Sequence, residues 1–224
     1  MLRLTLPDFV AARARIGAHI HHTPLLSSRQ LSERTGFDIR LKAELFQRVG
    51  SYKIRGPLNK FTFLTAEEKR RGVVCSSAGN HAQGVALAAK IHGIRAVVCM
   101  AENATPAKVA ATREYGAEVV LHGRIWDEAN EKAKELVQTE GLTYISPFDD
   151  PDLIAGQGTL GLEVVQDWPD LDAIVVNEHH NTVYSMMATP NLIAAALVPQ
   201  VKNARICVWG TPPNFMLPNR LAEE

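Results

Sequence analysis

Three stretches of the chain hold residue types that can do covalent, anion-binding or acid–base chemistry. In the first, FQRVGSYKIRGPLNK, Lys53 follows Gly50 and Ser51 at the expected start of a helix. An amine at the positive end of a helix, with Arg55 two residues on, is suited to act in its neutral form and to make an imine with a carbonyl. A solvated surface lysine has the same spacing, so the stretch by itself leaves both readings open. In the second, SSAGNHAQG, Ser76, Ser77, Ala78, Gly79 and Asn80 lead straight into a helix beginning near His81. Successive backbone amides at a helix N-terminus, relieved by a glycine, make a seat for a small carboxylate or a single phosphate. Ser77 and Asn80 add a hydroxyl and an amide to it. The stretch is not GxGxxG and lacks the P-loop lysine, which speaks against a nucleotide. A polar loop capped by Ser or Asn is the competing reading. His81 reads as a packed or capping histidine rather than a general base. The third stretch, NEHHNTVYSMM, sets Glu178, His179 and His180 in a row after an apolar strand. Neighbours on an extended chain point to opposite sides, so adjacent histidines rarely grip one ion, and no metal is assigned.

The elements that must position these residues show in the hydropathy pattern. VVCS (73–76) precedes NHAQGVALAAKIHG, which has helical spacing and stops at Gly93. IRAVVCM (94–100) precedes TPAKVAATREYG, with Thr105 as N-cap, Pro106 in the first turn and Gly116 as stop. AEVVLHG (117–123) precedes a charged helix ending at Gly141, and LTYI (142–145) leads into DDPDLIAGQGTLGLEVVQDW. LDAIVV (171–176) is a further strand, NLIAAALV reads as helix, and ARICVWG as a last strand. Strand, helix, strand at this cadence requires parallel crossovers, hence an α/β protein with helices on both faces of a sheet. Ligands in such sheets bind where strand ends turn into helices. The loops after Leu45, Cys75 and Val176 are therefore the ones to examine.

Composition narrows the function classes. At 224 residues the chain holds one large domain or two small ones, with an ordinary globular 46% hydrophobic content. Lys plus Arg (24) balance Asp plus Glu (24), so no basic excess marks a nucleic-acid surface. No apolar run reaches the roughly 20 residues that span a bilayer. The opening MLRLTLPDFVAARARIGAHI does not read as a signal peptide. Cys75, Cys99 and Cys207 are widely spaced without CxxC, which predicts buried free thiols in a reducing cytoplasm.

KAELFQRVGSYKIRGPLNK, SSAGNHAQGVALAAK, ENATPAKVAATREYGAEVVLHG and FDDPDLIAGQGTLGLEVV, in this order, resemble the threonine/serine dehydratases (threonine ammonia-lyases). The resemblance runs from about Thr23 to Val176. It implies a pyridoxal 5'-phosphate enzyme of fold type II (tryptophan synthase β-like), with two open parallel-sheet α/β domains. Residues 1–50 and 146–224 would form the larger one, incomplete at its C-terminus, and 51–145 the smaller. It implies Lys53 as the Schiff-base lysine and general base, and Asn80 beside the cofactor's 3-hydroxyl. Ser77, Ala78, Gly79 and His81 would hold the substrate carboxylate. The implied reaction is β-elimination from L-threonine or L-serine, giving 2-oxobutanoate or pyruvate and ammonia. Dimers or tetramers acting on a small amino acid in the cytoplasm are also implied. Serine racemases of the same fold carry a serine where this loop has Ala78, which has no exchangeable proton, so elimination is preferred to racemisation.

The chain departs from the family in two places. Where relatives wrap the cofactor phosphate with glycines, the aligned positions read His179, His180, Asn181, Thr182 and Val183. Only Asn181 among them visits positive φ with any ease. ARICVWGTPPNF resembles the following family strand, with Thr211 and Pro212 where relatives carry Glu-Pro, and the family's remaining large-domain segment is not found. A degenerate, non-catalytic homologue that binds an amino acid or a protein is thus the alternative to an enzyme.

Overall fold

Helix starts and stops written into the sequence set most element boundaries of the computed structural model, which describes residues 4–177 and 205–209. Helix α1 (Leu6–Ile16) opens with the Asp8 carboxylate accepting the Thr5 backbone N–H at 2.7 Å, a capping arrangement that satisfies an otherwise orphaned donor. Strands β1 (Leu25–Ser27) and β2 (Arg40–Lys42) pair antiparallel around α2 (Arg29–Thr35), with Leu26 opposite Leu41. The hydropathy cadence does not predict this small hairpin-like unit, because its strands are three residues long and largely exposed.

Two single 3-10 turns, Glu44–Phe46 and Tyr52–Ile54, lead into α3 (Arg55–Thr62). Helix α4 (Ala66–Arg71) then starts at a Thr65–Glu68 capping box. Over residues 73–167 the predicted alternation follows. It runs β3 (Val73–Ser76), α5 (Asn80–His92), β4 (Ala96–Met100), α6 (Pro106–Glu114), β5 (Glu118–Leu121), α7 (Trp126–Glu140), β6 (Thr143–Tyr144) and α8 (Pro151–Asp167). Strands β7 (Ala173–Asn177) and β8 (Arg205–Trp209) pair parallel, Ala173 opposite Arg205. The expected helix NLIAAALV lies outside the described residues. The chain divides into two compact units, residues 1–167 and 168–224.

Within the first unit, β3 to β6 form one parallel sheet in the order β5-β4-β3-β6. Every residue of β3 and β4 is buried, as expected of central parallel strands covered on both faces. Alternation along them separates two apolar layers. Val73, Cys75, Val98 and Met100 pack with α3 and α5, while Val74, Val97 and Cys99 pack with Ala129, Ala133 and Leu136 of α7. Helix α8 lies against α3 at Gly156, where an added Cβ would stand 2.5 Å from the Arg55 carbonyl oxygen. The strand order matters for function. From β3 the chain steps outward to β4 and β5, then returns to the far side of β3 as β6. That reversal is a topological switch point, and the crevice beyond the carboxyl ends of β3 and β6 is where this architecture offers a binding site.

Candidate active site

The loop after β3 and the turn that carries Lys53 converge beside this switch point. Ser51, buried and extended at φ −164, caps the Tyr52–Ile54 turn by accepting the Lys53 N–H at 3.4 Å. The placement of Lys53 after Gly50 and Ser51 thus becomes a capped turn that runs directly into α3. Lys53 is half-buried, with Nζ 4.9 Å from the centre of the Tyr52 ring. Its backbone is pressed against α5. An added Cβ at Gly84 would meet the Lys53 carbonyl oxygen at 2.4 Å and its carbon at 2.8 Å, so only glycine lets the two elements approach this closely.

On the other side, Gly79 is the N-cap of α5, and no side-chain oxygen caps that helix. Ser77 Oγ instead accepts the Gly79 N–H at 3.2 Å, which folds the Ser77–Gly79 loop back on itself. An added Cβ at Gly79 would meet no atom within 4 Å, so the space over the loop is open. Asn80 is exposed as the first residue of α5, and Ser77, Ala78 and Gly79 are half-buried. A thirteen-residue helix thus presents an uncapped, glycine-relieved N-terminus beside Lys53, a setting suited to an anionic group.

His81 is buried behind this loop. Its Nε2 lies 3.2 Å from the Ile145 carbonyl oxygen, just after β6, and a carbonyl can only accept. Nε2 therefore carries the proton and Nδ1 is a bare acceptor, buried without a protein partner. Burial first, and the Lys53 charge second, push the His81 pKa down to about 4, against the weaker opposing pull of Ile145. The histidine is a packed, neutral strut linking the β3 and β6 loops, as its sequence setting suggests. Because the unfolded chain binds this proton more tightly, stability is complete above pH 6.5 and falls as pH drops toward 4. Between pH 7 and pH 4.5 this one group should remove about 2–3 kcal/mol of unfolding free energy. Urea unfolding of His81→Asn should show a pH dependence flatter by that amount, and an unchanged slope would contradict the assignment.

Sequence reasoning missed the buried ionic cluster next to Lys53. Arg55 is completely buried, and Glu44 and Glu163 both grip its guanidinium. Lys42 Nζ lies 2.7 Å from Glu163, and Thr23 Oγ1 donates to Glu44 at 2.5 Å. The carboxylates hold the Arg55 pKa up against the opposing effect of burial. In turn Arg55 and Lys42 hold the Glu163 carboxyl below its ordinary value, although burial alone would raise it. Arg55 is therefore a compensated charge rather than the free cation its sequence position suggests. Charged residues in amphipathic segments read as solvated faces, so no signal marked these as inward-facing.

Cys75 and Cys99 are buried free thiols, as expected, and burial pushes Cys99 up to about 11 and Cys75 higher still. Neither is a nucleophile at neutral pH. Among the described residues no cluster of His, Cys, Asp and Glu is spaced to hold a metal. No described helix is long and apolar enough to cross a membrane. Glu178, His179, His180, Asn181, Thr182 and Val183 lie outside the described residues.

An open parallel sheet, with a lysine and an uncapped helix N-terminus meeting at its switch point, defines an α/β enzyme scaffold that combines an amine with an anion seat. Comparison with known proteins makes the class specific. Residues 16–177 match the family model described as pyridoxal-phosphate dependent enzyme, and the chain belongs to that family. Its cofactor is pyridoxal 5'-phosphate, and its fold is the tryptophan synthase β-like fold type II. Among curated relatives, the L-threonine ammonia-lyase of Thermotoga maritima is 49% identical over 77% of this chain and 43% of its own length. The catabolic L-threonine dehydratase of Escherichia coli K12 is 47% identical over 78% of this chain and 53% of its own. The chain thus spans about half the length of these relatives. Among solved structures, threonine deaminase isoform 2 of Solanum lycopersicum superposes with a TM-score of 0.77 at 36% identity, covering 92% of this chain and 56% of that one. Maize serine racemase gives 0.82 at 32%, covering 92% and 61%.

The described residues fit the reactive end of the cofactor. They offer a half-buried amine and the open space over Gly79 at the uncapped N-terminus of α5.

Proposed function

We propose that the chain deaminates L-threonine and L-serine by β-elimination, releasing 2-oxobutanoate or pyruvate and ammonia. The observation that supports this most is the contact of Lys53 with α5 at Gly84, which sets an amine and an anion seat side by side. When bound, pyridoxal phosphate supplies an electron sink for the charge that develops at the substrate Cα. Lys53 is the residue that would hold it covalently, and Asn80 the one beside its 3-hydroxyl. The amides and hydroxyl of Ser77, Ala78 and Gly79, together with the backbone amide of His81, would receive the substrate carboxylate, aligning Cα with the released Lys53 amine. Lys53 Nζ then takes the α-proton as general base, the β-hydroxyl takes up a proton and leaves as water, and the freed enamine tautomerises and adds water to give the 2-oxo acid and ammonia. His81, neutral at physiological pH, orients the loop rather than moving protons.

The two-domain division, with 51–145 as the smaller body, belongs to the same proposal and is supported by the closed run of sheet and helices between β3 and β6. Self-association into dimers or tetramers and a cytoplasmic location complete it.

The similarity to maize serine racemase motivates racemisation as the second reading. Racemisation needs a proton donor on the face opposite Lys53, and Ala78 offers none. Incubation with L-serine and pyridoxal phosphate decides between them. Pyruvate and ammonia should appear in equal amounts, with pyruvate exceeding D-serine by about tenfold or more. D-serine forming faster than pyruvate would overturn elimination. Neither product from a folded, cofactor-loaded chain would leave a binding module.

A further inference from the structure

Arg55 lies two residues beyond Lys53 and is the first residue of α3. A guanidinium has five N–H donors, and here all five are used. Nε donates to Glu44 Oε2 at 2.9 Å, and Nη2 to Glu44 Oε1 at 2.7 Å and Glu163 Oε2 at 3.0 Å. Nη1 donates to Glu163 Oε1 at 2.6 Å and to Thr159 Oγ1 at 3.3 Å. The two carboxylates reach it from opposite directions along the chain, Glu44 from the turn before the Lys53 loop and Glu163 from α8. Lys42 lies 2.7 Å from Glu163 and 3.4 Å from Asp167, so the Glu163 carboxylate has a second cation beside Arg55.

Such a cluster is weak evidence for stability, because desolvation offsets most of the attraction and apolar replacements often serve as well. What a fully used guanidinium does supply is geometry. The planar fork fixes position and rotation together, which the point charge of a lysine cannot do. The turn bearing Lys53 is thereby held from two sides, by α5 at Gly84 and by this clamp on Arg55. We infer that Arg55, gripped by Glu44 and Glu163, is the positioning residue that aims the Lys53 amine. The inference rests on the reading of Lys53 as the reactive amine.

The test uses the full chain and Arg55→Lys, which keeps the charge and loses the fork. In the cofactor-free protein, reductive methylation by formaldehyde and borohydride reports the reactivity of each lysine by peptide mass spectrometry, with exposed Lys108 as internal reference. Freed from the clamp, the half-buried Lys53 should label about threefold or more faster relative to Lys108, while circular dichroism remains that of the parent. With cofactor and L-threonine, kcat should fall about 10- to 100-fold while KM stays within about threefold, the signature of a misaimed base rather than lost binding. Glu163→Gln, of the same shape, should move both readouts in the same direction by less. A purely structural role predicts a lower melting temperature with an unchanged labelling ratio and unchanged kcat, and that result would overturn the inference. So would failure of both variants to fold. If the parent chain shows no elimination activity but the labelling ratio moves, the Arg55 inference stands and the functional proposal fails.

Discussion

Lys53→Ala should lower 2-oxobutanoate release from L-threonine by at least about 10³-fold, because it removes both the covalent anchor and the general base. The fold should survive the change. The side chain is half-buried with Nζ over the Tyr52 ring, and the turn is held by the backbone through the Ser51 cap and the Gly84 approach. Unfolding free energy should therefore change by no more than about 1 kcal/mol, as for other substitutions outside the packed core. The pairing of a large catalytic loss with a small stability loss is what separates a reactive lysine from a structural one. Parallel assays of 2-oxo acid formation and urea unfolding measure both. Retained activity in a verified Lys53→Ala preparation would remove the residue from the mechanism.

Gly84→Ala should have the second largest effect, and for a different reason. The new methyl group would stand 2.4 Å from the Lys53 carbonyl oxygen, an encounter with backbone that no rotamer change relieves. Either α5 or the Lys53 turn must shift. Overpacking of this kind costs about 2–3 kcal/mol of stability. A displacement of Lys53 by about 1 Å costs on the order of 10²-fold in rate. Gly161→Ala is the control, since a methyl group at that exposed helical position would meet nothing within 4 Å. It should be neutral or stabilising by up to about 1 kcal/mol, through the loss of unfolded-state freedom and the gain in helix propensity. Equal losses in both variants would mean that the close approach at Gly84 does not position the site.

The sequence shows the parallel sheet plainly because each signal there is local. Apolar runs of four or five residues fall at Val73–Ser76 and Ala96–Met100, and glycines at positive φ follow α5 and α7 at Gly93 and Gly141. Thr105 and Pro106 likewise fall at the start of α6. The Ser77–His81 loop and the Lys53 turn are legible for the same reason, each being set by a few consecutive residues. Resemblance to a family is what joins the two into one site at the level of sequence.

What stays hidden is whatever depends on distant partners. Arg55 and Glu163 are 108 positions apart, and nothing in either helix pattern says that they meet in the interior. The strand order is equally invisible, since periodicity fixes that β6 is a strand but not that it returns to the far side of β3. The orphaned Nδ1 of His81 follows from Ile145 taking Nε2, a contact spanning 64 positions. The short exposed strands β1 and β2 were missed because three-residue segments carry too little alternation to register.

Covalent capture of the cofactor is the most direct test. The purified chain is mixed with excess pyridoxal 5'-phosphate, its absorbance spectrum is recorded, and borohydride is added before proteolysis and mass spectrometry. A visible band that borohydride abolishes, with a single pyridoxyl group on the peptide carrying Lys53, is the expected result. A folded chain that shows no band at high cofactor concentration, or one in which the group is spread over exposed lysines such as Lys90 and Lys108, would contradict it.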